Sequence, residues 1–217
     1  MDFKQARFNM IEQQIRTWEV LDQDVLDLLN EIHREEFIPE SYQNLALADT
    51  SIPIGHDQTT MAPKFEARIL QSLDVEPDES VLEIGTGCGY FTALLASSAR
   101  QIKSVDVFPD FIDSAREKIA KTKLTNIELE SCDAYSLLEK PERYDVAVFT
   151  ASLPTMDERF LNLLNDRGRL FVIVGKSPAM EARLYTKQNE TNWSYESLFE
   201  TDLSALIGAK QKDEFKF

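Results

Sequence analysis

Apolar positions recur at helical spacing through the first 34 residues. Phe8, Ile11, Ile15 and Trp18 mark one face, and Val25, Leu26, Leu28, Leu29 and Ile32 resume the period after a break near residues 19–22. Residues 37–63 lose that period and carry Pro39, Pro53, Gly55 and Pro63, which marks a long ordered loop or cap. Stretches of that length in compact domains are usually functional. From Pro63 onward, amphipathic stretches alternate with short apolar runs. The pattern predicts helices over 64–73, 90–98, 111–122 and 156–164, and strands over 80–84, 102–107, 127–131, 145–150 and 169–174. Two late segments, 182–187 and 194–200, alternate like an antiparallel pair with its turn at 190–192. Strands separated by helices build a mostly parallel sheet covered on both faces, an α/β class. The expected organisation is N-terminal helices and a cap over 1–62, a core over 63–208, and a polar, frayed tail over 209–217.

Composition narrows the function. At 217 residues, 43% hydrophobic and 28% charged, the chain has ordinary globular composition and enough length to bury a core. A net charge of −15 argues against binding nucleic-acid phosphates or an anionic membrane surface. Asp2, Lys4, Arg7, Glu12, Arg16 and Glu19 leave no apolar centre for a signal peptide. No uncharged apolar run approaches the roughly 18 residues of a membrane helix. Cys88 and Cys132 are far apart, so neither a disulfide nor a metal site is expected. The expected compartment is cytoplasmic.

Only seven glycines occur, and three of them fall at Gly85, Gly87 and Gly89. The segment reads E-I-G-T-G-C-G-Y, between a predicted strand and a predicted helix, where glycines permit positive φ and close approach of a ligand. The helix start near Tyr90 adds amide donors. The G-x-G-x-G spacing is tighter than that of dinucleotide loops, and no basic residue stands in it to meet a pyrophosphate. Glu83, two positions earlier, suits a ligand with a cationic end. Asp106, 17 residues after Gly89 at the next strand end, is placed to accept ribose hydroxyl hydrogens. Asp133 follows the third strand in S-C-D-A-Y, where it can accept from an adenine amino group and cap the next turn.

These residues resemble a known group. V-L-E-I-G-T-G-C-G-Y at 81–90 is similar to the first motif of class I S-adenosylmethionine-dependent methyltransferases, and above all to the protein-L-isoaspartate O-methyltransferase family, whose version reads VLEIGTGSGY. R-E-E-F-I-P at 34–39 resembles that family's R-E-x-F-V-P, and A-D-T-S-I-P-I-G at 48–55 resembles its approach to the substrate loop. The resemblance covers roughly residues 5–175. It implies a Rossmann-like methyltransferase fold, S-adenosylmethionine as cofactor, and a protein or peptide carboxylate as substrate. Glu83, Gly85, Thr86, Gly87, Gly89, Asp106, Asp133 and Thr150 are the implied cofactor residues.

The substrate loop departs from the family's G-Q-T-I-S-x-P. Here it reads Asp57-Gln58-Thr59-Thr60-Met61-Ala62-Pro63, with Met61 at the position of the serine to which the family assigns a catalytic role. Thr59, Thr60 and Met61 are therefore the implied catalytic positions, with Gln58, Thr150 and Ser152 as further hydrogen-bond donors. A carboxylate acceptor is ionised near pH 7 and needs orientation rather than a general base. His56, solitary in a loop, reads as structural, and His33, on the helix before Arg34, as a surface or packing residue. A methyltransferase with another acceptor, and a cofactor-binding protein without turnover, both remain open at this point.

Overall fold

The computed structural model describes residues 2–140, 142–189 and 192–209. Helix α1 (Phe3–Met10) begins on Asp2, whose carboxylate accepts from the Gln5 amide. The helix continues past α1 only to the break expected near residues 19–22. It widens into a π turn over Ile11–Ile15, tightens over Arg16–Trp18 and stops at Glu19, which takes a left-handed conformation (φ 60°). Arg68 and Gln71 hold that stop by donating to the Glu19 carbonyl, at 3.1 and 3.0 Å. Asp22 then caps α2 (Gln23–Glu31) by accepting from the amides of Asp24 and Val25.

The segment over 37–63 is ordered, as its length suggested. A 3-10 turn at Glu40–Leu45 leads into a small hairpin of β1 (Pro53–Gly55) and β2 (Gln58–Thr59). Pro63 then opens α3 (Pro63–Leu73) at a position where a missing amide costs nothing.

The main sheet contains β3 (Ser80–Ile84), β4 (Gln101–Asp106), β5 (Ile127–Ser131), β6 (Tyr144–Leu153), β7 (Leu164–Lys176), β8 (Ala179–Asn189) and β9 (Asn192–Thr201). Its order is β5-β4-β3-β6-β7-β8-β9, with β3 to β7 parallel and the last two pairings antiparallel. Helices α4 (Tyr90–Ser98) and α5 (Pro109–Ile119) are the crossovers between β3, β4 and β5. This is the mostly parallel sheet that the alternation of periods predicted, in the Rossmann-like arrangement that the family resemblance implied. Of the predicted late turn, Glu190 and Thr191 lie outside the described residues, as do residues 210–217 of the predicted tail.

Strand parity explains why the central strands are apolar runs rather than alternations. Val81, Val146, Val148, Phe171 and Ile173 point to one face and join the cluster containing α4, α3 and the N-terminal segment. Leu82, Ala147, Phe149, Leu170 and Val172 point to the other face, where Phe160 and Leu137 cover them. One prediction fails on this second face. Residues 156–164 form only a 3-10 turn (Glu158–Leu163), because β6 extends to Leu153 and β7 already starts at Leu164. Too few residues remain between those strands for a helix of several turns.

The cap is tied to the core by Arg34, which is 1% exposed. Its guanidinium donates to Glu66 of α3 (2.8 Å), the Ala46 carbonyl (2.6 Å), the Thr60 hydroxyl (3.1 Å) and the Met61 carbonyl (2.8 Å). A second buried pair, Arg7 with Glu35, lies in the same segment. Removing one member of a buried pair strands the other's charge. Arg34→Ala is therefore expected to cost about 3–5 kcal/mol in urea unfolding. Arg34→Met combined with Glu66→Leu should cost clearly less, since no charge is left unpaired. Equal losses for the single and double variants would show that packing, not charge, dominates this contact.

Candidate functional site

The glycine loop leaves β3 without a break in hydrogen bonding. The amides of Gly85 and Thr86 both donate to the Val105 carbonyl, at 2.8 and 3.2 Å. Gly85, Gly87 and Gly89 all have positive φ, at 105°, 52° and 85°. At Gly85 a Cβ would stand 2.1 Å from Thr150 Oγ1, so a side chain there would push the loop off β6. Thr150 occupies that space itself and donates its hydroxyl to the Gly85 carbonyl at 2.5 Å. At the end of β4, the Asp106 carboxylate accepts from the Gly87 amide (2.9 Å) and the Phe108 amide (3.0 Å). Burial pushes the Asp106 carboxyl up from the ordinary aspartate range, against the pull of those amides.

These elements border a cleft at the carboxyl ends of the parallel strands, the usual ligand position in open α/β sheets. Gly85, Gly87, Asp106, Asp133 and Thr150 line it. Glu83, Thr86 and Gly89 do not. Glu83 is wholly buried under the loop, where its carboxyl accepts from Thr92 Oγ1 (2.5 Å) and Ser104 Oγ (2.6 Å). Ser104 Oγ is also 2.6 Å from Thr86 Oγ1, so these side chains form a polar brace beneath the floor. Gly89 has its own constraint, since a Cβ there would meet the Ala115 Cβ of α5 at 2.9 Å. Asp133 caps the turn Ala134–Glu139 by accepting from the Tyr135 amide and still faces the cleft. Of the two cysteines, Cys132 lines the cleft and Cys88 does not, and both are free.

On the acceptor side, Gln58 and Thr59 of β2 line the cleft. Thr60 and Met61 turn the other way, which corrects the expectation that they present side chains to an acceptor. Arg34 draws the Thr60 hydroxyl and the Met61 carbonyl inward, the Ile52 amide donates to the same Thr60 oxygen, and the Met61 side chain joins the core. Ser152 is likewise turned away, its hydroxyl donating to the Leu203 carbonyl. His33 lies outside the cleft near Glu36. His56 sits at the hairpin tip beside the cleft mouth.

A family model described as protein-L-isoaspartate(D-aspartate) O-methyltransferase matches residues 5–210. The chain belongs to that family. Protein-L-isoaspartate O-methyltransferase of Methanoculleus marisnigri is 36% identical over 172 residues, covering 79% of this chain and 78% of the relative. Protein-L-isoaspartate O-methyltransferase 2 of Archaeoglobus fulgidus is 33% identical over 180 residues, covering 82% of each. A crystal structure from Plasmodium falciparum, described as a candidate member in complex with S-adenosyl-L-homocysteine, matches with a TM-score of 0.78. It covers 95% of this chain and 98% of its own at 20% identity, a likeness in fold.

Several lining residues of this isoaspartate methyltransferase family member escaped the sequence reading. Phe108 and Phe111 form one wall, Ile54 faces them from the hairpin, and Ala205–Ile207 return from beyond β9. The first pair was signalled by two aromatics just after the acidic strand end. The last group was signalled only by the apolar run Ala205-Leu206-Ile207 ahead of the polar tail. No described lining residue is Lys, Arg or His.

The Glu83 brace yields a stability prediction. Burial raises its pKa to about 8, against the hydrogen bonds from Ser104 and Thr92. The folded state therefore holds a proton there that the unfolded chain releases above about 4.5. Stability from this group is greatest at low pH and declines as pH rises through about 8, by at most about 1.4 kcal/mol per unit. Glu83→Gln keeps an acceptor for both hydroxyls and should flatten that decline. Parallel stability curves for parent and variant, from urea unfolding across pH 5 to 8, would rule out Glu83 as the source.

Proposed function

We propose that this chain transfers the methyl group of S-adenosylmethionine to the side-chain carboxylate of isoaspartyl residues in proteins, as its family membership implies. The observation that carries the cofactor assignment is the charge of the cleft. Two carboxylates, Asp106 and Asp133, line it with no described cation beside them, which fits a cationic adenosyl ligand and disfavours a diphosphate. The positive-φ glycines fit the same ligand by bringing backbone to its surface. When bound, S-adenosylmethionine would supply a methyl carbon open to attack by the acceptor carboxylate, with S-adenosylhomocysteine as the leaving group, so no general base is needed.

The chain's own task is then binding and alignment. We assign the ribose hydroxyls to Asp106, whose two oxygens each keep a lone pair beyond the backbone amides they accept. The adenine end is assigned to Asp133, with Phe108 and Cys132 beside it. Gly85, Gly87 and Thr150 form the floor, while Glu83, Thr86 and Gly89 hold that floor in place. The acceptor carboxylate is assigned to the Gln58 amide and the Thr59 hydroxyl, the donors of the substrate loop that line the cleft. In this reading residues 1–62 present the acceptor loop and residues 63–208 hold the cofactor. No helix among the described residues is long and apolar enough to cross a membrane. Two free cysteines suit a reducing cytoplasm, where damaged proteins would be the substrates.

The test uses an isoaspartyl peptide and its normal aspartyl counterpart with labelled S-adenosylmethionine. A base-labile methyl ester on the isoaspartyl peptide alone is the expected product. Base-stable methylation would point to another acceptor, and binding without turnover to a non-catalytic role. Asp106→Ala should weaken S-adenosylhomocysteine binding by about 1–3 kcal/mol, read by calorimetry. Unchanged affinity would remove Asp106 from the ribose site.

A further inference from the structure

Arg34 anchors the base of the hairpin that presents Gln58 and Thr59, and the His56 side chain ties its tip to the opposite wall of the cleft. The two-residue turn is His56–Asp57, with φ of 50° and 56°. That geometry is normally left to glycine or asparagine, so His56 occupies a backbone state L side chains rarely adopt. Without a glycine at either position, the turn gains from contacts to the opposite wall. The His56 ring stacks on Phe108 at 4.1 Å with planes 9° apart, and meets the edge of Phe111 at 5.3 Å. Its Nε2 donates to the Asp110 carboxylate, with both oxygens within 3.0 Å. Phe108 and Phe111 line the cleft from the far side, while Ile54, Gln58 and Thr59 line it from the hairpin.

We propose that His56 is a positioning residue: it clasps the β1–β2 hairpin to the Phe108–Phe111 wall, and so sets the acceptor donors Gln58 and Thr59 against the cofactor. The inference rests on the cleft being the cofactor site. Phe108 connects the two halves, since it packs on His56 and borders the cleft with Asp106, its amide bonded to that carboxylate. Opening the clasp frees the hairpin to swing away, which loosens the acceptor site and unblocks the exit of the demethylated cofactor in one motion.

The experiment follows release of labelled S-adenosylhomocysteine in a chase with unlabelled ligand, alongside KM and kcat for an isoaspartyl peptide. His56→Gly retains the turn, indeed relieves it, and removes the clasp. It is expected to speed release and raise the acceptor KM by about fivefold to thirtyfold, the range of one aromatic pair plus one exposed hydrogen bond to a carboxylate. In that variant kcat should change less than KM. His56→Phe retains the stack and should restore most of the parental values. Asp110→Asn, at an exposed position, should move both quantities in the same direction by a smaller factor. A purely structural role would lower the active fraction, and so kcat, leaving release rate and KM parental. That result for His56→Gly overturns the proposal. If the parent fails to bind S-adenosylhomocysteine at all, the cofactor reading falls and the clasp falls with it.

Discussion

Everything on the acceptor side of the molecule depends on the burial of one guanidinium. Removing an arginine from water costs several kcal/mol unless charge and hydrogen bonds replace the lost hydration. Arg34 finds those replacements on Glu66, Ala46, Thr60 and Met61, and lies 5.6 Å from the centre of the Tyr90 ring. Those partners belong to the cap, the substrate loop, α3 and the helix that follows the glycine loop. None of them can be displaced without leaving a buried charge short of a partner, so the cap and the core are expected to order together. The same constraint explains why Thr60 and Met61 face inward. The loop supplies oxygen to Arg34 first, and only Gln58 and Thr59 remain for the cleft.

How far the sequence carried this picture depended on whether the governing force was local. The glycine loop, Asp106 and the cap of Asp133 rest on backbone geometry within a few residues, and all were legible. The parallel order of strands followed from the alternation of periods. The 3-10 turn at Glu158–Leu163 was not legible, because its length is set by how far β6 and β7 extend in partnership. The orientation of Met61 was also hidden. A motif comparison aligns it with a serine, but the side it faces is fixed by Arg34, 27 residues earlier. The wall at Ala205–Ile207 depends on pairing with Ser152, a contact too distant in sequence for any periodic pattern to reveal.

Charge divides the work between long and short range. A net charge of −15 surrounds a cleft that itself carries carboxylates, so a cationic ligand is drawn in by the whole field. An anionic acceptor meets the opposite situation and approaches against that field. Its recognition must come from close, desolvated contacts to neutral donors such as the Gln58 amide and the Thr59 hydroxyl. Screening by salt weakens the first effect and relieves the second, since Debye lengths near 10 Å are shorter than the molecule. Cofactor capture and acceptor capture thus respond to ionic strength in opposite directions.

The return of the chain to the cleft after β9 has a consequence for biosynthesis. Ser152 exchanges backbone hydrogen bonds with Ser204 and Leu206, and Leu206 and Ala209 pack against the second core cluster. This wall is built from residues near the end of the described chain, against a strand made some fifty residues earlier. A nascent chain can fold the parallel half of its sheet as it emerges, yet the pocket stays unwalled until residues 203–207 clear the ribosome. Translation that stalls short of this segment would leave a folded core with the cleft open on the side that Ala205–Ile207 wall in.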